Sequence, residues 1–282
     1  MNKYDNNDVP SLSEIIKSIS RIVIVDDVRK LTDEDLKKNM IKSHRKINRI
    51  SRIWRFRMFD RNSEDFLWYV NFGITKTQAE EDHRKALSCC ISSAYNDACR
   101  HINYLRSVSE NNAMKNRDSS DEEKEKALVF EQKKEEFKKQ CSNTILNSIQ
   151  ELLSSKIIDY DDWHRELCTD SELSTVPDGL FKDNSKGLTL GQIQKWVNMS
   201  IKNMLVMSFW DNALSMYKEK IHVPIDDRIY DKAKAEVGVI TALPKEWNNI
   251  SSYDEYMRFQ EELRNKLNPT PPIIWEWKTW MQ

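Results

Sequence analysis

The stretch that most constrains the fold is residues 188–217, LTLGQIQKWVNMSIKNMLVMSFWDNALSMY. When it is wound as an α-helix, one set of apolar side chains recurs at steps of three and four residues, and a second set lies on the opposite side. The first set is Ile193, Trp196, Val197, Ile201, Met204 and Leu205, and the second set is Met199, Val206 and Phe209. Because a helix that is apolar nearly all round is normally buried, we predict that this helix lies at the centre of a domain.

Composition favours further helices around this segment. The 282-residue chain has only five glycines and seven prolines, which disfavours a β-sandwich or a glycine-rich nucleotide-binding α/β fold. Residues 76–107 have helical periodicity, and residues 118–139 predict a charged, solvent-exposed helix. We therefore predict an all-α fold with two helical lobes around a cleft, an N-terminal lobe at 1–140 and a second lobe at 141–282.

The cysteines and the lengths of the apolar runs indicate the cellular compartment of the protein and argue against a metal site or a membrane span. The five cysteines form no CxxC pair and no cluster with histidine, which argues against a structural zinc site and predicts reduced thiols. The first residues lack the pattern of a signal peptide, and no apolar run reaches the roughly 18 residues of a membrane span. We therefore expect a cytoplasmic monomer without a metal, a cofactor or a membrane partner.

A basic segment, residues 37–61, stands out in a chain whose net charge is only −1. It holds ten lysines or arginines and one aspartate, a local net charge of +9, with Trp54 and Phe56 among them. Such a segment can contact DNA phosphates, and each phosphate contact steepens the salt dependence of binding. The alternative is a solvated helix face that pairs with acidic residues of 118–136. The candidate phosphate contacts are Lys42, Arg45, Lys46, Arg49 and Arg52. Lys202 in the central helix is either a further phosphate contact or a structural residue.

Two carboxylates open another predicted helix. In HVPIDDRIY, residues 222–230, Pro224 comes shortly before Asp226 and Asp227, and helical sequence follows. A helix N-terminus stabilises a carboxylate through its backbone N–H groups and its dipole. Asp226 is therefore a helix cap, or a carboxylate that accepts a proton or stabilises a cation, and the two roles are compatible. Asp227 is either a supporting acidic group or a solvated neighbour.

Lys195 lies in the first turns of the central helix, on the side opposite the main apolar stripe. Burial and the positive end of the helix both disfavour the ammonium form. A neutral amine is a nucleophile that can form a Schiff base with an electrophilic carbon. The alternative is an ordinary solvated lysine at a helix end. If the amine of Lys195 and the carboxylate of Asp226 face one cleft, they suit cleavage of an N-glycosidic bond.

Three segments within about 188–232 resemble the active-site region of helix-hairpin-helix DNA glycosylases, most closely the archaeal 8-oxoguanine glycosylase branch. They are LTLG, QKWVNMSIKNM and HVPIDDRIYDKA, which stand where that family has a hairpin turn, the helix of the catalytic lysine and the segment of the essential aspartate. Lys195 and Asp226 occupy those two positions, 31 residues apart. LTLG departs from the family in lacking the second glycine of LPGVG. The pattern is also similar to bacterial phage-defence glycosylases that remove glucosylated hydroxymethylcytosine.

The resemblance implies an enzyme that binds double-stranded DNA, flips out a modified base and excises it to leave an abasic site, with Lys195 and Asp226 as the catalytic pair. The resemblance does not specify the base; the candidate we prefer is glucosylated hydroxymethylcytosine in phage DNA, removed as a defence function. One alternative is an oxidised-guanine repair glycosylase with lyase activity. Two others are a non-enzymatic helical DNA-binding protein and a protein–protein interaction module that uses the tryptophan-rich C-terminal segment.

Three further residues have both a functional and a structural interpretation. His222 is either a proton donor to the departing base or a satisfied core histidine. Gln192 and Gln194 either hydrogen-bond to a base edge or simply stand at a helix start.

The C-terminal segment PTPPIIWEWKTWMQ is predicted to be extended, with Trp275, Trp277 and Trp280 in core packing or in a base-stacking pocket.

Overall fold

A computed structural model describes residues 72–99, 120–154, 159–175, 180–181, 187–207 and 210–281. These residues are mostly helical and include no β-strand, which confirms the predicted all-α class for this part of the chain. The α-helices are α1 (Lys76–Glu81), α2 (His83–Ala98), α3 (Asp121–Ser154), α4 (Tyr160–Thr169), α5 (Ser171–Ser174), α6 (Leu190–Met207), α7 (Asp211–Ser215), α8 (Asp227–Lys232), α9 (Tyr253–Leu267) and α10 (Pro272–Met281). A π-helix (Ala233–Val237) follows α8, and a 3₁₀ helix (Trp247–Asn249) precedes α9.

The chain divides into two units, Met1–Cys89 with Trp280–Gln282, and Cys90–Thr279. All the candidate site residues that the structure describes belong to the second unit. The predicted arrangement of two lobes around a cleft, with a boundary at 140/141, stays a prediction. None of the helices in the described ranges is long and apolar enough to cross a lipid bilayer.

Local capping signals set the starts of several helices. At the start of α3, the Ser120 hydroxyl accepts a hydrogen bond from the Glu123 N–H, and the Glu123 carboxylate accepts one from the Ser120 N–H. The Asp159 carboxylate caps α4 by accepting hydrogen bonds from the N–H groups of Asp161 and Asp162. The C-terminal segment is helical rather than extended, because Pro272 stands at the first position of α10, where a missing N–H costs nothing.

Helix α6 is buried within the second unit, as its apolar pattern predicts. The Trp196 ring packs edge-on against Tyr95 with centroids 5.0 Å apart, and its indole N–H donates to the Ile91 carbonyl at 2.9 Å. On other sides α6 contacts α4 and the 3₁₀ helix. Its apolar residues that are at most 2% exposed are Ile193, Trp196, Val197, Ile201 and Met204.

Polar side chains of α6 are buried as well, which the apolar pattern alone does not predict. They are Gln192, Gln194, Lys195, Asn198, Ser200, Lys202 and Asn203. Polar groups that leave water need hydrogen-bond partners inside the protein. These side chains and their hydrogen-bond partners therefore form a buried polar region around α6. The candidate site lies in this region.

Candidate functional site

Lys195 and Asp226, which are 31 residues apart in the chain, form a nearly buried ion pair. Lys195 Nζ lies 3.2 Å from Asp226 Oδ2, and the two side chains are 7% and 14% exposed. A charge-assisted hydrogen bond is stronger where water is largely excluded. The fold thus brings together the amine and the carboxylate that were expected to act as a pair.

Asp226 uses its other carboxylate oxygen to begin α8. Oδ1 accepts a hydrogen bond of 2.9 Å from the Ile229 N–H, and the Asp226 backbone has the extended conformation of an N-cap residue. The cap and the ion pair therefore belong to one side chain, with one oxygen each. The cap also fixes the direction of the carboxylate, so that Oδ2 is presented to Lys195.

Trp247 covers another side of the Lys195 amine. Lys195 Nζ lies 4.5 Å from the centre of the Trp247 ring, which is a cation–π distance. The backbone N–H of Trp247 is directed to Asp227 Oδ1 at 3.5 Å, so the second aspartate of the acidic pair contacts the segment that carries the ring. Lys195 is therefore held between a carboxylate and an aromatic face, and both attract the ammonium form. Trp247 was not among the residues expected in the site.

Gly191 explains how Trp247 comes so close to α6. A Cβ atom at Gly191 would stand 2.1 Å from the Trp247 carbonyl oxygen and 2.9 Å from Asn248 Cα, so a side chain does not fit. The Gly191 N–H also donates to the Ile250 carbonyl at 3.1 Å. Gly191 lies inside the first turn of α6 and has a helical backbone, so no special backbone conformation requires glycine there. Its role is to leave room for the 3₁₀ helix to pack closely against α6.

Side-chain amides hold the chain that leads into Asp226. Gln260 on α9 accepts a hydrogen bond from the Val223 N–H at 3.1 Å and donates one to the Val223 carbonyl at 2.9 Å. Gln194 on α6 does the same for Ile225, accepting at 3.3 Å and donating at 3.1 Å. Because Pro224 has no N–H, these two amides satisfy both backbone donors of residues 223–225.

The two glutamines with a possible base-reading role are engaged within the protein instead. Gln192 forms a capping box with Thr189, because the Gln192 side-chain oxygen accepts from the Thr189 N–H at 3.0 Å and the Thr189 hydroxyl accepts from the Gln192 N–H at 3.2 Å. Gln194 is fully buried and hydrogen-bonded to backbone. For both residues the geometry corrects the base-edge interpretation in favour of the structural one.

His222 is a core residue rather than a proton donor to a departing base. Its ring is fully buried, with Nε2 at 2.8 Å from Asp161 Oδ1 and Nδ1 at 3.0 Å from the Tyr256 hydroxyl. Because a carboxylate only accepts, Nε2 carries the proton and Nδ1 accepts from Tyr256. Burial lowers the pKa of His222, which outweighs the opposing effect of Asp161, so the imidazole is neutral with both nitrogens occupied.

Asp161 carries the negative charge of this buried network. Burial raises the pKa of its carboxyl, but hydrogen bonds from His222 and from two guanidinium nitrogens of Arg264 outweigh burial and hold that pKa well below its usual range. Farther along, Asn198 Nδ2 donates to the Tyr256 hydroxyl at 2.9 Å. The network therefore links α4, α6 and α9 to the segment that precedes Asp226.

Of the two roles predicted for Lys202, its surroundings fit the structural residue and not the phosphate contact. Its Nζ lies 2.7 Å from Glu276 Oε1, and the two side chains are 5% and 0% exposed. An ammonium group buried against a carboxylate cannot reach a DNA phosphate at the surface, so this prediction is corrected. The other predicted phosphate contacts, all in the basic segment 37–61, lie outside the described residues; they are Lys42, Arg45, Lys46, Arg49 and Arg52.

The described residues offer no group of three His, Cys, Asp or Glu side chains that could hold a metal ion. The five cysteines all fall in the described ranges and form no disulfide. Burial raises the pKa of Cys141 to about 12, so this thiol is not a nucleophile at neutral pH. Of the C-terminal tryptophans, Trp277 is buried in the core, which fits the packing interpretation for that residue.

The candidate site therefore consists of Lys195, Asp226 and Trp247. Gly191 leaves room for Trp247, and Gln194 binds the backbone next to Asp226.

Comparisons with protein-family models, curated proteins and solved structures found no match for the chain.

Proposed function

We propose that this protein is a DNA N-glycosylase that excises a modified base and leaves an abasic site, with Lys195 and Asp226 as its catalytic pair. The observation that carries the proposal is the 3.2 Å contact between Lys195 Nζ and Asp226 Oδ2. Residues 31 positions apart meet at one nearly buried point, and they supply an amine and a carboxylate, the two groups that this type of base excision uses.

Asp226 is suited to stabilise the sugar as the base leaves. The N-glycosidic bond breaks, its electron pair departs with the base, and the base takes up a proton from the solvent. A positive charge then develops on C1′ and O4′ of the sugar, and a nearby carboxylate lowers the energy of that cation. The hydrogen bond from the Ile229 N–H keeps the carboxylate oriented while this charge develops.

Lys195 completes the reaction by one of two routes. In the first, the ammonium gives a proton to Asp226 and the amine attacks C1′ with its lone pair. Opening of the sugar ring, in which O4′ takes a proton from the attached nitrogen, then gives a protonated imine. In the second, a water molecule supplies the hydroxyl group at C1′, and Lys195 acts through its charge alone.

The proposed substrate is double-stranded DNA from which a modified base is flipped, at an unstacking cost of a few kcal/mol. Because the overall pattern of the sequence is also similar to phage-defence glycosylases, glucosylated hydroxymethylcytosine is the base that we propose. On this proposal the protein is an antiviral defence enzyme that attacks modified phage DNA.

A panel of duplexes tests the proposal. They contain glucosylated hydroxymethylcytosine, hydroxymethylcytosine, oxidised guanine or no modification, and abasic sites are counted after alkaline cleavage. We expect release from the glucosylated duplex. Release from oxidised guanine alone would make the protein a repair glycosylase, and salt-sensitive binding without release from any duplex would contradict the glycosylase proposal.

Borohydride in the same reactions separates the two routes for Lys195. Reduction of an imine gives a stable protein–DNA adduct, and its loss in Lys195→Ala would assign the nitrogen. Base release without an adduct would point to the water route.

A further inference from the structure

We propose that Gln194 is a positioning residue that sets the distance between Lys195 and Asp226; this inference rests on the function proposed for that pair. Gln194 directly precedes Lys195 in α6, and Ile225, which it binds at both backbone groups, directly precedes Asp226. One side-chain amide therefore ties together the backbone positions next to the two catalytic side chains.

The amide of Gln194 has no spare hydrogen-bonding capacity. Its Oε1 accepts from the Ile225 N–H at 3.3 Å and from Asn198 Nδ2 at 3.1 Å. Its Nε2 donates to the carbonyls of Ile225 at 3.1 Å and Gly191 at 2.9 Å. A primary amide has two donor hydrogens and two acceptor sites, so all four are used. The two carbonyls also determine which end of the amide is the nitrogen.

This connection matters because the segment that carries Asp226 belongs to no regular element. Residues 221–226 are neither helix nor strand, so no ladder of backbone hydrogen bonds fixes where they lie along α6. Gln194 supplies hydrogen bonds of that kind from the helix that carries Lys195. A displacement of about 1 Å between groups that must react together can lower a rate by about 10²-fold.

Gln260 offers a matched control for Gln194. It is buried to nearly the same extent, 1% against 0% exposed, and it binds both backbone groups of Val223 at similar distances. Gln260 belongs to α9, which does not carry Lys195, and it acts two residues farther from Asp226.

Loss of Gln194 removes the side-chain partner of the Ile225 N–H and carbonyl. Loss of Gln260 removes the side-chain partner of the Val223 N–H, while the Val223 carbonyl keeps a hydrogen bond from Asn198 Nδ2 at 3.3 Å. Both changes therefore lower stability. From the helix of Lys195, Gln194 binds the residue next to Asp226, whereas Asn198 reaches the segment only at the Val223 carbonyl, at 3.3 Å.

The experiment compares Gln194→Met with Gln260→Met, both close to isosteric, in single-turnover base release from a duplex that the wild-type protein processes. The amplitude reports the competent fraction of the protein, and the rate constant reports the geometry of the site. We expect Gln194→Met to lower the rate constant by about 10²-fold without changing the Kd for DNA. We expect Gln260→Met to lower the rate constant clearly less, because Gln260 binds Val223, two residues farther from Asp226.

Equal rate constants for the two variants, or a loss confined to the amplitude, would overturn the inference. If the methionine variants do not fold, Gln194→Asn and Gln260→Asn replace them, because asparagine keeps the amide and is one methylene shorter. A crystal structure of the Gln194 variant gives a readout independent of turnover. Retention of the 3.2 Å contact between Lys195 and Asp226 in it would also overturn the inference. Failure of the wild-type protein to release any base would instead overturn the proposed function.

Discussion

The imidazole rings of His164 and His222 lie with their centroids 4.3 Å apart, and both are fully buried. His164 Nε2 is 3.0 Å from Asn198 Oδ1, and its Nδ1 is 2.8 Å from the Tyr253 hydroxyl. Burial lowers the pKa of both histidines, and for His164 the neighbouring His222 adds to the effect. The core around the candidate site therefore requires two neutral imidazoles.

We expect the free energy of unfolding to decrease as the pH falls below about 6.5. The unfolded chain binds protons at the ordinary histidine pKa while the native core does not, so acid favours the unfolded state. Each histidine contributes a slope of up to about 1.4 kcal/mol per pH unit. Urea denaturation between about pH 8 and 5 measures this slope. His222→Gln should make it shallower, and a free energy that is constant over this range would contradict the prediction.

Gly191→Ala should displace Trp247 and lower both stability and base release. The added methyl group has no room, and overpacking of this kind costs about 1–3 kcal/mol. Gly238→Ala is the control, because its cost comes from a left-handed backbone conformation (φ 76°) and its Cβ would meet nothing closer than Lys266 Nζ at 3.9 Å. Thermal denaturation and single-turnover assays compare the two. Equal retention of base release in both variants would remove Trp247 from the site.

Trp247→Leu should slow base release more than Trp247→Phe does. Phenylalanine keeps an aromatic face for the Lys195 ammonium, whereas leucine only fills volume. A cation–π contact of about 0.5–2 kcal/mol corresponds to a difference of roughly 2- to 30-fold between the variants. Single-turnover rate constants at one DNA concentration measure the difference. Identical rate constants would show that the ring acts through its bulk alone.

Lys202→Met should destabilise the protein by about 3–5 kcal/mol, because it breaks the buried ion pair between Lys202 and the Glu276 carboxylate. Lys202→Met combined with Glu276→Leu should recover much of that loss, because neither charge then remains buried. The salt dependence of DNA binding should be the same as in the wild type. A decrease of about 0.9 in the log–log salt slope would instead restore Lys202 as a phosphate contact.

The sequence indicated much of the helical framework for local reasons. The apolar pattern of 188–217 predicts the burial of α6, and Asp226 is recognisable as a cap because aspartate is favoured at that position. The three prolines of the C-terminal segment suggested an extended chain. Pro272 instead opens α10, since the first turn of a helix tolerates proline.

The rest of the site depends on tertiary contacts that leave little local signal. A glycine inside a buried helix indicates that something approaches closely, but it does not indicate that the approaching residue is Trp247, 56 positions later in a segment without periodicity. Gln194 and His222 stand close in sequence to the candidate catalytic residues, which suggested chemical roles. The role of Gln194 follows from burial and from its hydrogen bonds to the Ile225 backbone. The role of His222 follows from burial and from its partners on α4 and α9, and no local pattern specifies any of these partners.

The most direct test of the central claim is single-turnover base release by Lys195→Ala and Asp226→Asn. Asparagine keeps the N-cap, so the second variant removes the charge without removing the start of α8. The control is Lys220→Ala, which breaks another lysine–carboxylate pair, with Asp159, at a more exposed position. We expect both site variants to fold and to lose base release by at least about 10²- to 10⁴-fold, while the control keeps wild-type activity. Wild-type rates of base release in Lys195→Ala and Asp226→Asn would contradict the catalytic role of the pair.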